Sequence, residues 1–228
     1  MASRPSNPLA LAVLVLLYER PMHPYQMSAT LKERRKEDSI KINYGSLYSV
    51  VESLTKHGLI EARESAREGN RPERTIYAIT GDGEREMISW LSTLLSDPVK
   101  EYPQFEAALS LMMALRPEQA TELLERRLVN QRAALDTCRD QVNRAYAIGM
   151  PRVFGVEHEF EVALLAAEVD FLASLLDDIR DGSFSGLAGW QRMHELRAEG
   201  MTRDEIEQTL FTEFKEDFAW LDRLDELT

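Results

Sequence analysis

Residues 41–80 read KINYGSLYSVVESLTKHGLIEARESAREGNRPERTIYAIT, and the organisation of the chain follows from this stretch. Val50, Val51 and Leu54 lie three, four and seven residues beyond Leu47. That spacing places all four on one stripe of a helix over residues 43–57. The opposite face carries Tyr48, Ser49, Glu52, Ser53 and Lys56. Asn43 stands where an N-cap belongs, and Gly58 where a helix ends in the left-handed conformation.

After Gly58 the pattern changes. Residues 59–66 read as a short strand, residues 67–73 (REGNRPE) hold the turn formers Gly69, Asn70 and Pro72, and Thr75, Ile76, Tyr77 and Ile79 read as the returning strand. Arg63, Arg67, Arg71 and Arg74 are spread along this hairpin. Helices over 8–20, 24–36 and 43–57 followed by an Arg-bearing hairpin are the parts of a winged helix-turn-helix. Thr80 then caps a fourth helix over 82–95, and 98–103 reads as a linker.

The chain has 228 residues and a formal net charge of −12. The charge is unevenly distributed. Residues 1–79 hold 12 Lys/Arg against 9 Asp/Glu, a net of +3, and residues 80–228 hold 15 against 30, a net of −15. Phosphate contact is local, so the basic portion counts for more than the global sum. Cys138 is the only cysteine, which excludes a disulfide framework and fits a reducing, cytoplasmic setting. The apolar run PLALAVLVLLY (8–18) lacks a small-residue cleavage site and is too short to span a bilayer. It reads as a buried first helix with Asn7 as N-cap and Pro8 at N1, and no membrane association is expected. His23, His57, His158 and His194 have no metal-ligand spacing, and no phosphate-binding loop is present, so neither an enzyme, a metal nor a cofactor is expected.

The second half reads as helices. A short one covers 105–115, and a long one runs from Pro117 to about Ala147. Leu124, Leu128, Gln131, Leu135, Cys138, Val142 and Ala145 alternate at spacings of four and three, a coiled-coil-like seam. A helix over 157–179 carries a wide apolar band that includes Phe160, Leu164, Phe171 and Leu175. The expected homodimer interface is Leu124, Leu128, Leu135, Val142, Phe160, Leu164, Phe171 and Leu175, with burial inside the monomer as the alternative. Helices over 187–199 and 203–226 follow, the second opened by a capping box of Thr202 and Glu205.

Residues 9–96 resemble the PadR family of bacterial transcriptional regulators. The matching features are the apolar first helix, His23-Pro24-Tyr25, Gly45-Ser46-Leu47-Tyr48, Gly58-Leu59-Ile60, and Arg74 with Tyr77-Ala78-Ile79-Thr80 leading to Gly83. Residues 104–181 look like the longer subgroup, whose second half is a Vir-type helical dimerisation domain. The family pattern often has Pro where Ser49 stands here. The resemblance implies a mainly α protein: a winged helix-turn-helix DNA-binding domain over 1–98, an all-α dimerisation domain over 103–182, and an additional helical segment over 183–228 that extends past the usual family end.

The expected function is that of a ligand-responsive DNA-binding regulator, a repressor that binds a palindromic operator as a homodimer. The alternative is a helical protein-interaction scaffold that docks through the winged unit. Helix 43–57 would enter the major groove of double-stranded DNA while basic groups hold the backbone. Ser46, Tyr48, Ser49 and Ser53 are the base- or phosphate-facing candidates. Lys41, Asn43 and Lys56, with Arg67, Asn70, Arg71 and Arg74 of the hairpin, are the phosphate candidates. Residues 32–36 read either as a basic patch on DNA or as a solvated helix end. The family further implies a small-molecule effector. Its pocket would lie between the fourth helix and the second domain, lined by Trp90, Phe105, Met112 and Met113, and ordinary core packing is the alternative for each.

Overall fold

A computed structural model describes residues 7–42, 44–63 and 75–219. The chain is mainly α-helical and divides into two compact units, Met1–Glu101 and Tyr102–Thr228. The first has the winged-helix arrangement, and the described part of the second is all α.

In the first unit, α1 (Pro8–Glu19) begins as its sequence requires, with the Asn7 side chain accepting from the Leu9 amide and Pro8 at the start. Leu9, Val13, Leu14, Leu16 and Leu17 are all buried. Each such side chain contributes about 1.5–3 kcal/mol when removed from water. The helix packs against α3 (Tyr44–Lys56), α4 (Gly81–Ser96) and β2 (Ile76–Ile79), so it is the centre of the unit. β2 pairs antiparallel with β1 (Ile60–Arg63), in a register that sets Ile60 opposite Ile79 and Arg63 opposite Ile76. The amides and carbonyls of Met22 and Tyr77 also exchange two hydrogen bonds of 3.0 Å. This bridge fastens the turn after α1 to the hairpin.

α2 (Pro24–Glu33) is shorter than the helix expected over 24–36. Arg35 takes the left-handed conformation at φ 52°, and the chain passes into a 3-10 turn, Lys36–Asp38. The ion pairs explain the ending. Arg34 grips both carboxylate oxygens of Glu19, at 2.5 and 2.7 Å, and Arg35 pairs with Asp38 at 3.0 Å.

In the second unit, α5 (Gln104–Ser110) and a 3-10 turn, Met112–Ala114, replace the single helix expected over 105–115. α6 (Pro117–Ala147) packs along α7 (Val156–Asp181). At about 1.5 Å per residue, the 31 residues of α6 span about 46 Å. Three seam residues assigned to a dimer interface serve elsewhere. Leu124, Leu128 and Leu135 are 5–7% exposed, packed into one core with Val169, Leu172 and Leu176 of α7. Leu175 is half-buried against the same core, and Val142 is half-buried. A 3.5-residue repeat specifies a stripe that needs cover, and here the covering helix comes from the same chain.

Residues 183–219 belong to this same compact unit. α8 (Leu187–Ala198) packs against α6, and Trp190, buried, donates its indole N–H to the Leu115 carbonyl at 2.9 Å. α9 (Arg203–Glu213) starts on the Thr202–Glu205 capping box and buries Ile206 and Leu210 with Leu196 of α8. The helix expected over 203–226 breaks at Phe214, whose φ and ψ of −122° and 40° are not helical, and α10 (Lys215–Phe218) follows. The remainder of that expected helix, 220–226, lies outside the described residues.

Candidate nucleic-acid interface

α3 separates its residues by chemistry. Leu47, Val50, Val51 and Leu54 are buried against α1 and α2, while Tyr48, Ser49, Glu52 and Lys56 are exposed. Ser46 and Ser53 are half-buried at the margin between the two faces. Tyr48, at 58% exposure, is a large aromatic that the fold does not cover. Lys41, ahead of the helix, is exposed as well.

The end of α3 ties the helix to the hairpin. Gly58 sits at φ +70°, its amide reaching the Thr55 carbonyl, and the Leu59 amide reaches the Leu54 carbonyl, both at 3.0 Å. These are the two bonds of a Schellman motif, which only a residue free to adopt positive φ closes without strain. The His57 ring lies 2.7 Å from the Ser53 carbonyl, so its Nδ1 carries the proton and donates. Thr80 then works in two directions. Its hydroxyl donates to the Gly58 carbonyl at 2.7 Å and accepts from the Gly83 amide at 3.0 Å, capping α4. The Thr80 amide donates to the Leu59 carbonyl at 3.1 Å. Helix end, hairpin base and the start of α4 are thus one hydrogen-bonded knot.

The charge on the described part of this surface is nearly balanced. Lys56 and Arg63 stand beside Glu52 and Glu61, and Arg63 pairs with Glu61 at 3.5 Å with both side chains more than half exposed. Such a pair is weak in water and easily exchanged for a phosphate contact. Asn43, Arg67, Asn70, Arg71 and Arg74 lie outside the described residues, as does the side chain of Tyr44. Residues 32–36 divide. Arg34 and Arg35 are engaged in ion pairs, and the hydrogen bond from Arg34 holds Glu19 below the usual carboxylate range and raises Arg34 itself. Lys32 lines a cleft between α2 and α3, together with Tyr25, Ser28, Leu47 and Tyr48. Neither Tyr25 nor Ser28 is a site candidate on sequence grounds, because no local pattern marks where α2 meets α3.

The transcriptional regulator PadR-like family matches residues 13–89, the span from α1 into α4. Over this segment the chain is similar to the PadR-like family. The negative transcriptional regulator PadR of Bacillus subtilis (strain 168) is 23% identical over 146 residues, which is 64% of this chain and 79% of that one. Two crystal structures of Bacillus subtilis PadR share the fold. The complex with operator DNA aligns with a TM-score of 0.61 at 21% identity, covering 76% of this chain and 99% of that one. The complex with p-coumaric acid aligns at 0.60 and 20%, covering 78% and 99%.

Trp90 is buried in the core of the first unit. Phe105 and Met112 pack against the α6–α7 core, and the Arg127 guanidinium, paired with Glu168 at 2.5 Å, lies 3.7 Å over the Phe105 ring. Met113 is exposed. On α7, Phe160, Leu164 and Phe171 are 66%, 56% and 49% exposed, and their spacing of four and seven puts them on one stripe. No described helix is long and apolar enough to cross a membrane.

Proposed function

We propose that this PadR-like transcriptional regulator is a repressor that binds a palindromic operator as a homodimer and is released by a small-molecule effector. The observation that carries the reading is α3. Its apolar row is buried while Tyr48, Ser49 and Lys56 face outward, and Thr80 holds the base of the hairpin against the helix end. A helix offering hydroxyls and an amine suits the major groove, whose base edges present donors and acceptors. Lys41, with Asn43 and the hairpin arginines Arg67, Arg71 and Arg74, would hold phosphates on either side.

Bacillus subtilis PadR has been crystallised with operator DNA and with p-coumaric acid, which supports both the DNA and the effector parts of the reading. The exposed stripe of Phe160, Leu164 and Phe171 supports a second copy as the partner on α7, because large apolar side chains in a row are costly to leave in water.

Gel retardation with the DNA upstream of its own gene tests the reading. A sequence-specific shift that weakens steeply with added salt is the expected result. Absence of a shift on that fragment and on a pool of genomic fragments would overturn it in favour of a protein-docking scaffold.

A further inference from the structure

The turn between α6 and α7 is a firmly held knob that presents uncovered apolar side chains. Ile148, Val153 and Phe154 are 87%, 75% and 68% exposed. Beneath them the Tyr146 hydroxyl and the Arg152 guanidinium both donate to Glu159. The packing there is so close that a Cβ on Gly155 would lie 2.9 Å from the Tyr146 ring. At the other end of α7 the chain turns back as α8, and α9 presents Phe211, 40% exposed. Asp204 and Glu207 stand seven and four residues before Phe211, on the same face of α9. Among the described residues, Asp204 and Glu207 make no ion pair, and neither do Arg139 and Arg144 near the end of α6.

We propose that the segment after α7 is a dimer clasp, in which α9 of each protomer covers the apolar knob of its partner. Phe211 packs on the partner's Val153 and the partner's Phe154, while Asp204 and Glu207 face the partner's Arg139 and the partner's Arg144. The inference rests on the homodimer reading above and adds a second contact to it.

Three observations select this occupant. First, the row on α7 is too small to hold a dimer alone. At about 150–250 Å² for an aromatic side chain, the exposed parts of Phe160, Leu164 and Phe171 come to about 300 Å² per protomer, against about 800 Å² in a stable interface. Second, symmetry brings the two features together. An antiparallel pairing of α7 is favoured, because a parallel one would align two helix dipoles and stack the acidic last turns that hold Asp177, Asp178 and Asp181. A two-fold axis midway along the row sets Phe160 against the partner's Phe171, and residues 177–181 against residues 150–154 of the partner. The knob thus arrives where α7 ends and α8 begins, and α8 is anchored there by the Trp190 bond to Leu115. Third, the charges agree. Residues 183–228 hold 11 Asp/Glu against 5 Lys/Arg, and residues 139–152 hold 3 Arg against 1 Asp.

The test uses the full-length protein and sedimentation equilibrium, with circular dichroism confirming that each variant is folded. Phe154→Ser is expected to raise the dimer Kd by about tenfold or more. Glu207→Arg and Arg144→Glu should each raise it about three- to tenfold, and the two together should restore most of the loss. Proximity is read separately on a Cys138→Ala background. Thr212→Cys and Val153→Cys chains, co-expressed and treated with a short bismaleimide, should give a cross-linked dimer that neither chain gives alone. A wild-type Kd for Phe154→Ser, no recovery in the double charge variant, or no mixed cross-link would overturn the clasp, while a dimeric wild type left the homodimer reading intact. A wild type that stays monomeric throughout the concentration range would overturn both.

Discussion

The Thr80 hydroxyl donates to the Gly58 carbonyl across 2.7 Å, joining residues 22 positions apart. The same oxygen accepts from the Gly83 amide in the first turn of α4. Where these meet, the backbone is so close that a Cβ on Gly83 would lie 2.0 Å from the Leu59 carbonyl oxygen and 2.9 Å from Ile79. Thr80→Val keeps the shape and loses both bonds, so it should destabilise the first unit by about 1–2 kcal/mol. Gly83→Ala should cost more, about 2–4 kcal/mol, because backbone must move. Urea titration followed by circular dichroism measures both, and a Gly83→Ala protein as stable as wild type would show that the knot is looser than described.

Two α3 substitutions should separate recognition from grip. Tyr48 and Lys56 are both exposed on the outward face. Lys56→Ala should weaken binding to all duplexes alike and make the salt slope about one unit shallower. Tyr48→Ala should reduce discrimination between a selected site and random DNA by about 1–3 kcal/mol if it contacts a base edge. Competition binding against random duplex distinguishes them, and equal losses on both DNAs for Tyr48→Ala would confine that side chain to the backbone.

The exposed stripe on α7 predicts an assembly. Leu164→Asp places a charge in the middle of Phe160, Leu164 and Phe171, where an apolar partner would have to desolvate it. Light scattering after gel filtration should give a dimer for the wild type and a monomer for Leu164→Asp, with unchanged helix content. A variant that stayed dimeric would move the interface off this stripe.

Acid should weaken one corner of the second unit in a definable window. Glu159 accepts from Arg152, at 2.8–3.0 Å, and from the Tyr146 hydroxyl, at 2.6 Å. These bonds, Arg152 first, lower its pKa from the ordinary 4.5 to about 2. A depressed carboxylate stabilises the fold above the unfolded value and loses that contribution as pH falls through the folded one. Glu159→Gln should therefore melt lower than wild type at neutral pH, by a margin that is constant above about pH 5 and closes towards pH 2. Melting curves from pH 2 to 7 check this, and a margin independent of pH would remove the charge from the explanation.

The segment after α7 should be integral to the second unit. Trp190 is buried, and its indole N–H satisfies the Leu115 carbonyl. Trp190→Phe should cost about 1–2 kcal/mol by leaving that carbonyl unpaired, and Trp190→Ala about 3–5 kcal/mol with the added cavity. Denaturant unfolding followed by helix content would register both, and a negligible effect of Trp190→Ala would mean that α8 folds apart from α6.

What the amino-acid order decided alone is the set of local features. Asn7, Thr80 and Thr202 cap the helices they precede, Gly58 ends α3, and Pro117 opens a helix that runs to Ala147. Each needs only a side chain and a backbone group a few residues away, so the information is contained in the segment itself. The outward and inward faces of α3 were equally legible, because periodicity names a buried face directly.

Tertiary structure decided which surfaces meet. The stripe of Leu124, Leu128 and Leu135 reads as a seam between two chains, yet α7 of the same chain covers it, and the exposed apolar row lies instead at Phe160, Leu164 and Phe171. Burial is favourable against any apolar partner and has no direction, so a stripe states that it must be covered without stating by what. The Met22–Tyr77 bridge, the Trp190–Leu115 bond and the cleft shared by Lys32 and Tyr48 are of the same kind. Each joins segments far apart in the chain, and only the packing of the intervening helices brings them within reach.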